Sequence, residues 1–313
     1  MGCNLSLLSF LYQQSFANSA QLSNTDDMII DSYRLLHAEL IQRIIPSSGE
    51  KITAIGLGTW ISFDIGTSVS KRERLKNVLK ILVEKNGSII DSSPMYGTSQ
   101  QVVGELCEEL KIREKLFFAT KVWTSGRQNG VEQMDDSFAK MRTKTMNLMQ
   151  VHNLVDAETQ IRTLKEWQIS GKIKYWGVTH YLESAIPSLI VIIKKHKPDF
   201  VQFSYSIRNR EAEKQLLPQC KDEGIAVIIN RPFDGGSLFD SIKGQKLPAW
   251  AAEYDIKTWA QFFLKFIISH ASVTAAIPGT SNPDHMDDNI LAAYGKLPDT
   301  AARHKMAGLL ASL

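Results

Sequence analysis

SIID at residues 88–91, continued directly by SSPMYG at residues 92–97, is the stretch that decides the fold. Its two isoleucines predict a short buried strand, and Asp91 follows them directly. Small residues come next, and then Tyr96 and Gly97. A carboxylate at the inner end of an apolar strand is costly unless a partner compensates its charge. The stretch therefore predicts a buried strand whose terminal carboxylate needs a cationic partner from elsewhere in the chain.

Beyond this stretch, short apolar runs alternate with segments of helical periodicity. The helix predicted over 71–85 shows the pattern, because its apolar residues recur at every third and fourth position and Asn86 and Gly87 follow as a stop signal. The predicted strands are Ala54–Leu57, Ser88–Asp91, Leu116–Lys121, Leu148–His152, Tyr175–Val178, Phe200–Phe203, Ala226–Ile229 and Val273–Ile277. The predicted helices cover 71–85, 99–111, 131–143, 157–169, 183–195, 211–223, 254–269 and 283–294.

Eight strand–helix units in a chain of this length predict the α/β class, and within it a (β/α)₈ TIM barrel rather than a doubly wound sheet. The runs LIQRII and KITAI, within residues 40–55, flank a Pro/Ser/Gly turn and predict an N-terminal β-hairpin that caps the barrel. We therefore expect an N-terminal extension over residues 1–38 and one barrel domain over residues 39–313. The longer connections 58–70 and 230–250 are expected to be functional loops.

The composition argues against several classes of protein. A net charge of +3 is spread along the 313 residues without a run of five like charges, which argues against nucleic-acid binding. No apolar stretch approaches the ~18 residues that a membrane span needs. The three cysteines, Cys3, Cys107 and Cys220, have neither disulfide nor metal-site spacing, and their odd number favours a reducing compartment. We predict a soluble cytoplasmic protein without a bound metal.

The N-terminal stretch MGCNLSLLSFLYQQSFANSAQ, residues 1–21, leaves three interpretations open. It fits an unstructured extension, a degenerate export signal with an apolar patch at Leu5–Tyr12, or lipidation at Gly2 and Cys3. A secretory signal usually starts with a basic residue, and the first cationic side chain here is Arg34. The cytoplasm is therefore the expected location, and export or lipid anchoring is the alternative.

Chemically active side chains follow three consecutive predicted strands. Asp91 ends the second strand, Lys121 ends the third and His152 ends the fourth. Tyr96 lies in the loop after the second strand. In TIM barrels the reacting groups lie at the carboxyl ends of the strands, and neighbouring strands are ~4.8 Å apart. We therefore expect the four groups to converge on one rim, where Lys121 is the partner that Asp91 requires.

Tyr96 can then act as a proton donor. A phenol has a pKa of about 10, and the neighbouring ammonium and imidazole groups are expected to lower the pKa of Tyr96 toward neutral pH. Such a phenol can give a proton to an oxygen that becomes negative as a hydride reaches its carbon. His152 is expected to donate a hydrogen bond to the same oxygen and to orient the carbonyl group.

A series of motifs resembles the aldo-keto reductases: GLGTW, Asp91 with the following SSPMYG, ATKV, QVHN, GKIKYWGVTHY, VQFSYS, GIAVIINRPF and IPGTSNPDHMDDN. The resemblance covers roughly residues 40–313. It implies a (β/α)₈ barrel that reduces aldehydes and ketones with NADPH through a Tyr, Lys, Asp and His tetrad. All four positions match, and the resemblance gives each residue a role. Tyr96 is the general acid, Lys121 lowers its pKa, Asp91 holds Lys121, and His152 positions the substrate oxygen.

The resemblance also implies a site for NADPH, with NADH as an alternative, that extends across the strand ends without a Gly-rich dinucleotide turn. The matching positions are Gly58, Thr59, Thr179, His180, Gln202, Asn230, Arg231, Pro232, Phe233, Gly279, Thr280, Ser281, His285, Asp288 and Asn289. His180 replaces a usual Asn, and Asn230 replaces a Tyr that stacks on the nicotinamide in many members. Many NADPH-specific members flank the 2′-phosphate with a Lys and an Arg, and residues 279–289 contain neither. The preference between the two cofactors therefore stays open.

We predict from this resemblance an NAD(P)H-dependent oxidoreductase that reduces a small-molecule aldehyde or ketone. Trp60 and Trp123 flank the matched catalytic residues and are expected to be walls of the substrate pocket. The alternative is a nucleotide-binding regulatory or redox-sensing subunit with little turnover, like the aldo-keto-reductase-like β subunits of potassium channels. A Schiff-base role for Lys121, as in a class I aldolase, is disfavoured by the positions of Tyr96 and His152. The sequence assigns neither the physiological substrate nor the oligomeric state.

Overall fold

The computed structural model of the protein describes residues 38–313. The barrel lies within the compact unit Ile41–Leu313. The predicted N-terminal extension over residues 1–38 lies outside the described residues except for Ala38, so that part of the domain division stays a prediction.

A β-hairpin covers the end at which the barrel strands begin. Its strands β1 (Gln42–Ile44) and β2 (Lys51–Thr53) pair antiparallel, and two of its isoleucines belong to an apolar cluster that also holds residues of the barrel strands. The hydroxyl group of Tyr175, at the start of a barrel strand, lies 2.6 Å from Oγ of Ser48 and from Oε2 of Glu50. The predicted hairpin cap is therefore confirmed.

Eight parallel strands form a nearly closed barrel, as the alternation of strands and helices predicts. These strands are β3 (Leu57–Gly58), β4 (Ile89–Asp91), β5 (Phe117–Val122), β6 (Met146–His152), β7 (Ile173–His180), β8 (Phe200–Ser204), β9 (Ala226–Asn230) and β10 (Ala275–Ala276). Each strand pairs with the next from β3 to β10. Two isolated bridges, Ile55 to Ala276 and Gly58 to Gly279, connect the two ends of the sheet. The predicted (β/α)₈ fold is confirmed.

Helices connect the strands and pack around the barrel. They are α1 (Val69–Glu84), α2 (Ser99–Glu109), α3 (Arg127–Lys140), α4 (Ala157–Ile169), α5 (Ile186–His196), α6 (Leu216–Asp222), α7 (Ser237–Ser241), α8 (Trp259–Ile268), α9 (Pro283–Leu291) and α10 (Thr300–Ala311). Short 3₁₀ turns lie at Arg113–Lys115, Glu183–Ala185, Glu211–Glu213, Asp234–Gly236 and Ala249–Tyr254. In α1 the periodic apolar residues are fully buried, as their spacing predicts.

Some predicted boundaries are wrong. The first barrel strand is β3 rather than residues 54–57, because Ile55 contributes only an isolated bridge at the barrel closure. The helix predicted over 254–269 begins only at Trp259, because the hydroxyl oxygen of Thr258 caps it. Helix α7 lies inside the connection 230–250, where no helix is predicted.

Lys265 is a charged residue inside the apolar helix α8, and it is fully buried. Its ammonium group donates to the backbone oxygens of Tyr254, Tyr294 and Lys296 at 2.6, 2.7 and 3.0 Å. Burial lowers the pKa of Lys265 to about 8. The three carbonyl groups compensate the lost hydration of the ammonium group and tie α8 to the segments on either side of it.

Gly104 sets how closely α2 approaches the end of α3. A Cβ atom at this position would collide with the backbone oxygen of Lys140 and would lie 2.8 Å from the backbone of Met141. Because these obstacles are backbone atoms, they cannot move aside cheaply. Gly104→Ala is expected to lower the free energy of unfolding by about 1–3 kcal/mol, measured by urea denaturation.

Gly308 provides the matched control, because it is an exposed helix residue with no atom within 4 Å of the position that its Cβ would take. Gly308→Ala is expected to raise the free energy of unfolding by about 0.5–1 kcal/mol through helix propensity. Effects of the same sign in the two variants would contradict the proposed close approach at Gly104.

Candidate active site

Asp91 and Lys121 form a buried ion pair at the floor of the site. Nζ of Lys121 donates to Oδ2 of Asp91 at 2.5 Å and to the backbone oxygen of Ser92 at 2.7 Å. Neither side chain is more than marginally exposed. The other carboxylate oxygen, Oδ1, accepts from the amide groups of Gln202 at 3.0 Å and Gln150 at 3.3 Å. The pairing that the sequence predicts is therefore present, and hydrogen bonds satisfy the remaining carboxylate oxygen.

The strand register explains how the two charges meet. Asp91 is the last residue of β4 and lies beside Ala119 of β5, so Lys121 is two residues further along its strand. Side chains two residues apart point to the same face of a strand. The long side chain of Lys121 therefore reaches the inside of the barrel next to Asp91.

Tyr96 is held above this pair by a tight turn after β4. Its backbone N–H donates to the backbone oxygen of Ser93 at 3.1 Å, and its own backbone oxygen accepts from Ser99 at 3.0 Å. Gly97 follows with a φ of 57°, which a residue with a Cβ adopts only under strain. As a result the ring centroid of Tyr96 lies 5.2 Å from Nζ of Lys121.

The pKa of Tyr96 shifts in the direction opposite to the one expected from the sequence. Burial raises it above its ordinary value, the charge of Lys121 opposes that shift, and the charge of Asp91 adds to it, so the net pKa is raised. The main physical reason is that burial removes the water that would solvate a phenolate, and Asp91, 2.5 Å from the ammonium group, offsets part of the effect of Lys121. The phenol of Tyr96 is consequently protonated at neutral pH and available as a donor.

His152 ends β6 and presents a neutral ring to the same space. Its Nδ1 lies 3.0 Å from Oγ of Ser93. Its ring meets the ring of Tyr96 edge to face, with centroids 6.0 Å apart and planes at 84°. Burial, followed by the charges of Lys121 and His180, lowers the pKa of His152 to about 3. The imidazole therefore carries one N–H group at neutral pH.

A cavity of about 990 Å³ opens over the carboxyl ends of the strands, and Asp91, Tyr96 and His152 line it. Lys121 lies buried beneath them. The predicted cofactor positions that line the same cavity are Gly58, Thr59, Thr179, Gln202, Asn230, Arg231, Pro232, Phe233, Gly279, Thr280, His285, Asp288 and Asn289. Trp60, predicted as a wall of the substrate pocket, lines it as well. The structure thus gathers most of the predicted site residues around one space.

Apart from the buried Lys121, three predicted site residues do not line this cavity, namely His180, Ser281 and Trp123. Nδ1 of His180 accepts from the backbone N–H of Leu182 at 3.1 Å, and its ring stacks on that of Tyr181. Trp123 follows β5 and is 42% exposed. Tyr181, the next residue along the chain, lines the cavity.

The wall of the cavity far from Tyr96 contains residues that sequence reasoning missed. Thr258, Trp259 and Phe239 belong to this wall. The remaining missed residues are Met95, Asn153, Tyr181, Gly235, Gly236, Ile242, Ala260 and Ile277. The length of the connection 230–250 predicts a functional loop, and four of the missed residues lie in it, namely Gly235, Gly236, Phe239 and Ile242. Thr258 and Trp259 lie at the start of α8, which approaches the cavity only in the folded barrel.

Asp288 is held at this far wall by neighbouring side chains. Its carboxylate accepts from the hydroxyl group of Thr258 at 2.8 Å and from the amide group of Gln261 at 2.7 Å. A hydrogen-bonded carboxylate therefore lies next to Trp259 at this end of the cavity.

Asn230 and Arg231 close the side of the cavity after β9. Nδ2 of Asn230 donates to Oε1 of Gln202 at 3.4 Å, and its Oδ1 lies 2.8 Å from Oγ of Ser204. The guanidinium group of Arg231 lies 5.7 Å from the ring centroid of Tyr181. Arg231 has a φ of 49°, in the left-handed region that costs an arginine conformational energy. Such strain next to a cavity is typical of functional sites.

The described chain offers neither a metal cluster nor a membrane-spanning helix. Within residues 38–313, no group of three or more His, Cys, Asp or Glu side chains is arranged to hold a metal ion. In the same part of the chain, no helix has the length and apolarity needed to cross a membrane.

The fold and the site together define a (β/α)₈ barrel in which a buried Lys–Asp pair supports a tyrosine and a histidine. The sequence profile of the Aldo/keto reductase family matches residues 54–303. This chain belongs to the aldo-keto reductase family.

Individual relatives extend over most of the chain. It is 28% identical over 257 residues to methylglyoxal reductase YeaE of Escherichia coli, with 79% of this chain and 88% of that protein covered. It is 24% identical over 302 residues to the "Putative voltage-gated potassium channel subunit beta" of Schizosaccharomyces pombe, with 80% and 87% covered. The solved structure of an aldo-keto reductase from Klebsiella pneumoniae in complex with NADPH has a TM-score of 0.72 at 21% identity, with 87% and 96% covered. That last likeness concerns the fold.

The low pKa of His152 makes the stability of the protein depend on pH. The imidazole has a pKa of about 3 in the folded protein and an ordinary value of 6.5. Between these values the unfolded chain binds one proton more, so the free energy of unfolding falls as the pH falls, by about 1.4 kcal/mol per unit for this group. The measurement is urea denaturation at a series of pH values between about 4 and 6.

His152→Gln removes this titration and is expected to flatten the dependence by the same amount. His180 and His270 also have lowered pKa values, and both remain in the variant, so the difference between the two proteins isolates His152. Parallel curves for the wild type and the variant would show that His152 is not held neutral.

Proposed function

We propose that this protein is an oxidoreductase that reduces aldehydes and ketones to alcohols with a reduced nicotinamide dinucleotide, NADPH or NADH. The observation that supports the proposal most strongly is the buried Lys121–Asp91 pair beneath Tyr96, at the floor of a large cavity. A protonated phenol beside a buried ammonium group is suited to donate its proton to an oxygen that becomes negative.

In the proposed reaction, Tyr96 gives its phenolic proton to the substrate oxygen while a hydride reaches the carbonyl carbon. When bound, a reduced nicotinamide would supply this hydride. The electron pair of the C=O π bond moves to the oxygen, which takes the proton, and Tyr96 becomes a phenolate. The raised pKa keeps the proton on Tyr96 beforehand, and the ammonium group of Lys121 stabilises the phenolate afterwards. Water then returns a proton to Tyr96.

His152 has a second, orienting role in this proposal. Its neutral ring lines the cavity beside Tyr96 and can donate one N–H to the carbonyl oxygen. Two donors converging on one oxygen fix the direction of the carbonyl group and favour the transition state, in which that oxygen becomes negative.

The residues of the cavity fit an extended dinucleotide. Thr179, Gln202 and Asn230 place hydroxyl and amide groups beside the tetrad, where they would hold a carboxamide. At the far wall, Trp259 offers an aromatic face for a base. Helix α9 begins at Pro283, three residues after Thr280, so the positive end of its dipole would favour a phosphate there.

The mouth of the cavity favours apolar groups on the substrate. Trp60, Met95 and Tyr181 line the cavity and are 53%, 41% and 42% exposed. Covering these side chains would remove apolar surface from water, which is favourable. We therefore expect carbonyl compounds with aromatic or aliphatic substituents to be better substrates than small hydrophilic ones.

The second candidate is a regulatory subunit that binds the cofactor with little turnover. The 24% identity to the Schizosaccharomyces pombe protein supports it. The complete tetrad around one cavity supports turnover instead. Cofactor that co-purifies and does not exchange, combined with no turnover on a panel of aldehydes, would favour the second candidate.

Tyr96→Phe tests the assigned proton donor. The variant is expected to lose about 100-fold or more in kcat, because a positioned general acid contributes that much. Cofactor affinity, measured by fluorescence titration, should change by less than about threefold, since the phenyl ring stays in place. Activity is followed as oxidation of NADPH with an aromatic aldehyde.

Tyr294→Phe is the matched control for this variant. Its hydroxyl group donates to the backbone oxygen of Lys85 at 2.8 Å, and the residue does not line the cavity. The control should keep its kcat. Full activity of Tyr96→Phe would show that another group protonates the substrate.

The far wall of the cavity predicts weak discrimination between NADPH and NADH. Thr258, Trp259, Thr280, His285, Asp288 and Asn289 line this part of the cavity, and Arg231, after β9, is the one lysine or arginine among the described residues that line the cavity as a whole. Charge-assisted hydrogen bonds from such side chains to a phosphate are the strong ones. The two dissociation constants, titrated side by side, are expected to differ by less than about tenfold.

His285→Arg is expected to add a cation at this wall and to strengthen NADPH binding by about tenfold relative to NADH. His285→Gln is the control, because it alters the same position without adding a charge. A wild-type preference of a thousandfold or more for NADPH would contradict this account of the wall.

A further inference from the structure

We propose that Ser93 is a positioning residue that fixes the proton of His152 on Nε2, the ring nitrogen that can serve the reaction. This inference rests on the proposed function for its consequence in catalysis. Its structural part, the position of the proton on the ring, stands on the hydrogen bonds around Ser93 alone.

Ser93 lies between Asp91 and Tyr96 in the turn after β4 and is completely buried. Its Oγ lies 3.0 Å from Nδ1 of His152, which is itself buried. The same oxygen accepts from the backbone N–H of Met95 at 3.4 Å. The side chain therefore connects the turn that carries Tyr96 to the ring of His152.

The hydrogen of the Ser93 hydroxyl group determines the direction of this bond. Among the described residues, Nδ1 of His152 is the one hydrogen-bond acceptor that the structure gives to it. If Nδ1 carried the proton of the ring, two donors would face each other and the buried hydroxyl hydrogen would lose its acceptor, which is unfavourable. Ser93 therefore donates, and Nδ1 accepts.

A neutral imidazole carries one proton, so acceptance at Nδ1 places that proton on Nε2. His152 lines the cavity, while its Nδ1 is occupied by Ser93. The ring thus presents a donor to the cavity rather than an acceptor. With the opposite tautomer, a carbonyl oxygen in the cavity would meet a nitrogen lone pair and be repelled.

The tautomer can be read directly by long-range ¹H–¹⁵N correlation NMR of protein labelled with ¹⁵N-histidine. His152→Gln identifies the signals of His152. In the wild type we expect a protonated Nε2 and an unprotonated Nδ1, without substrate or cofactor. A wild-type ring with its proton on Nδ1 would overturn the proposal, whatever the protein catalyses.

Ser93→Ala removes the donor, so a detectable share of the Nδ1–H tautomer is expected. Ser93→Thr keeps a hydroxyl group and should restore the wild-type spectrum. The matched control is Ser92→Ala, because Oγ of Ser92 is buried one residue away without a hydrogen-bond partner. That control should keep the Nε2–H tautomer. An unchanged tautomer in Ser93→Ala would overturn the proposal.

Kinetics supply the second measurement. Ser93→Ala is expected to lower kcat by about tenfold, which equals about 1.4 kcal/mol, without weakening cofactor binding, and Ser93→Thr should recover most of the loss. Equal losses in the alanine and threonine variants would indicate a merely structural role. If the wild type did not oxidise NADPH or NADH with any aldehyde of a broad panel while the NMR results held, the proposed function would fail and the role of Ser93 in placing the proton would stand.

Discussion

Two opposite charges are tolerated in the interior of a barrel only when each compensates the other, and Lys121 and Asp91 meet at 2.5 Å. The remaining oxygen of Asp91 accepts from Gln202 and Gln150, so the pair also organises amide groups from β6 and β8. Removing one partner would leave a lone buried charge, which is far more costly than removing both. The pair therefore fixes the geometry of the site as well as its electrostatics.

The same pair also affects the pKa values of its two neighbours, Tyr96 and His152. Burial raises the pKa of the Tyr96 phenol by more than the ammonium group of Lys121 lowers it, and the charge of Asp91 adds to the rise. Burial and the nearby ammonium charge also keep His152 neutral. The floor of the cavity thus combines one compensated charge with two neutral hydrogen-bond donors. Two positioned hydrogen-bond donors can stabilise a substrate oxygen that becomes negative during the reaction.

Much of the fold and of the reacting centre could be predicted from the sequence. The helix over Val69–Glu84 follows from its apolar spacing, and the hairpin from a turn between two short apolar runs. Asp91, Lys121 and His152 could be located because each stands at the end of a strand, and strand ends share one rim in a parallel barrel. The boundaries of the strands at the barrel closure could not be predicted, because they depend on how the first and last strands meet.

The amino-acid sequence by itself determined which side chains reach the rim, because strand and helix periodicities are local properties of the chain. The tertiary structure decided the rest. The contact between Ser93 and His152 joins residues 59 positions apart, and the wall formed by Thr258 and Asp288 joins two helices. The sign of the pKa shift of Tyr96 was also decided there, because it depends on how deeply the ring is buried and how close Asp91 lies to Lys121. Distances and desolvation exist only once the chain has folded, and no local pattern of residues encodes them.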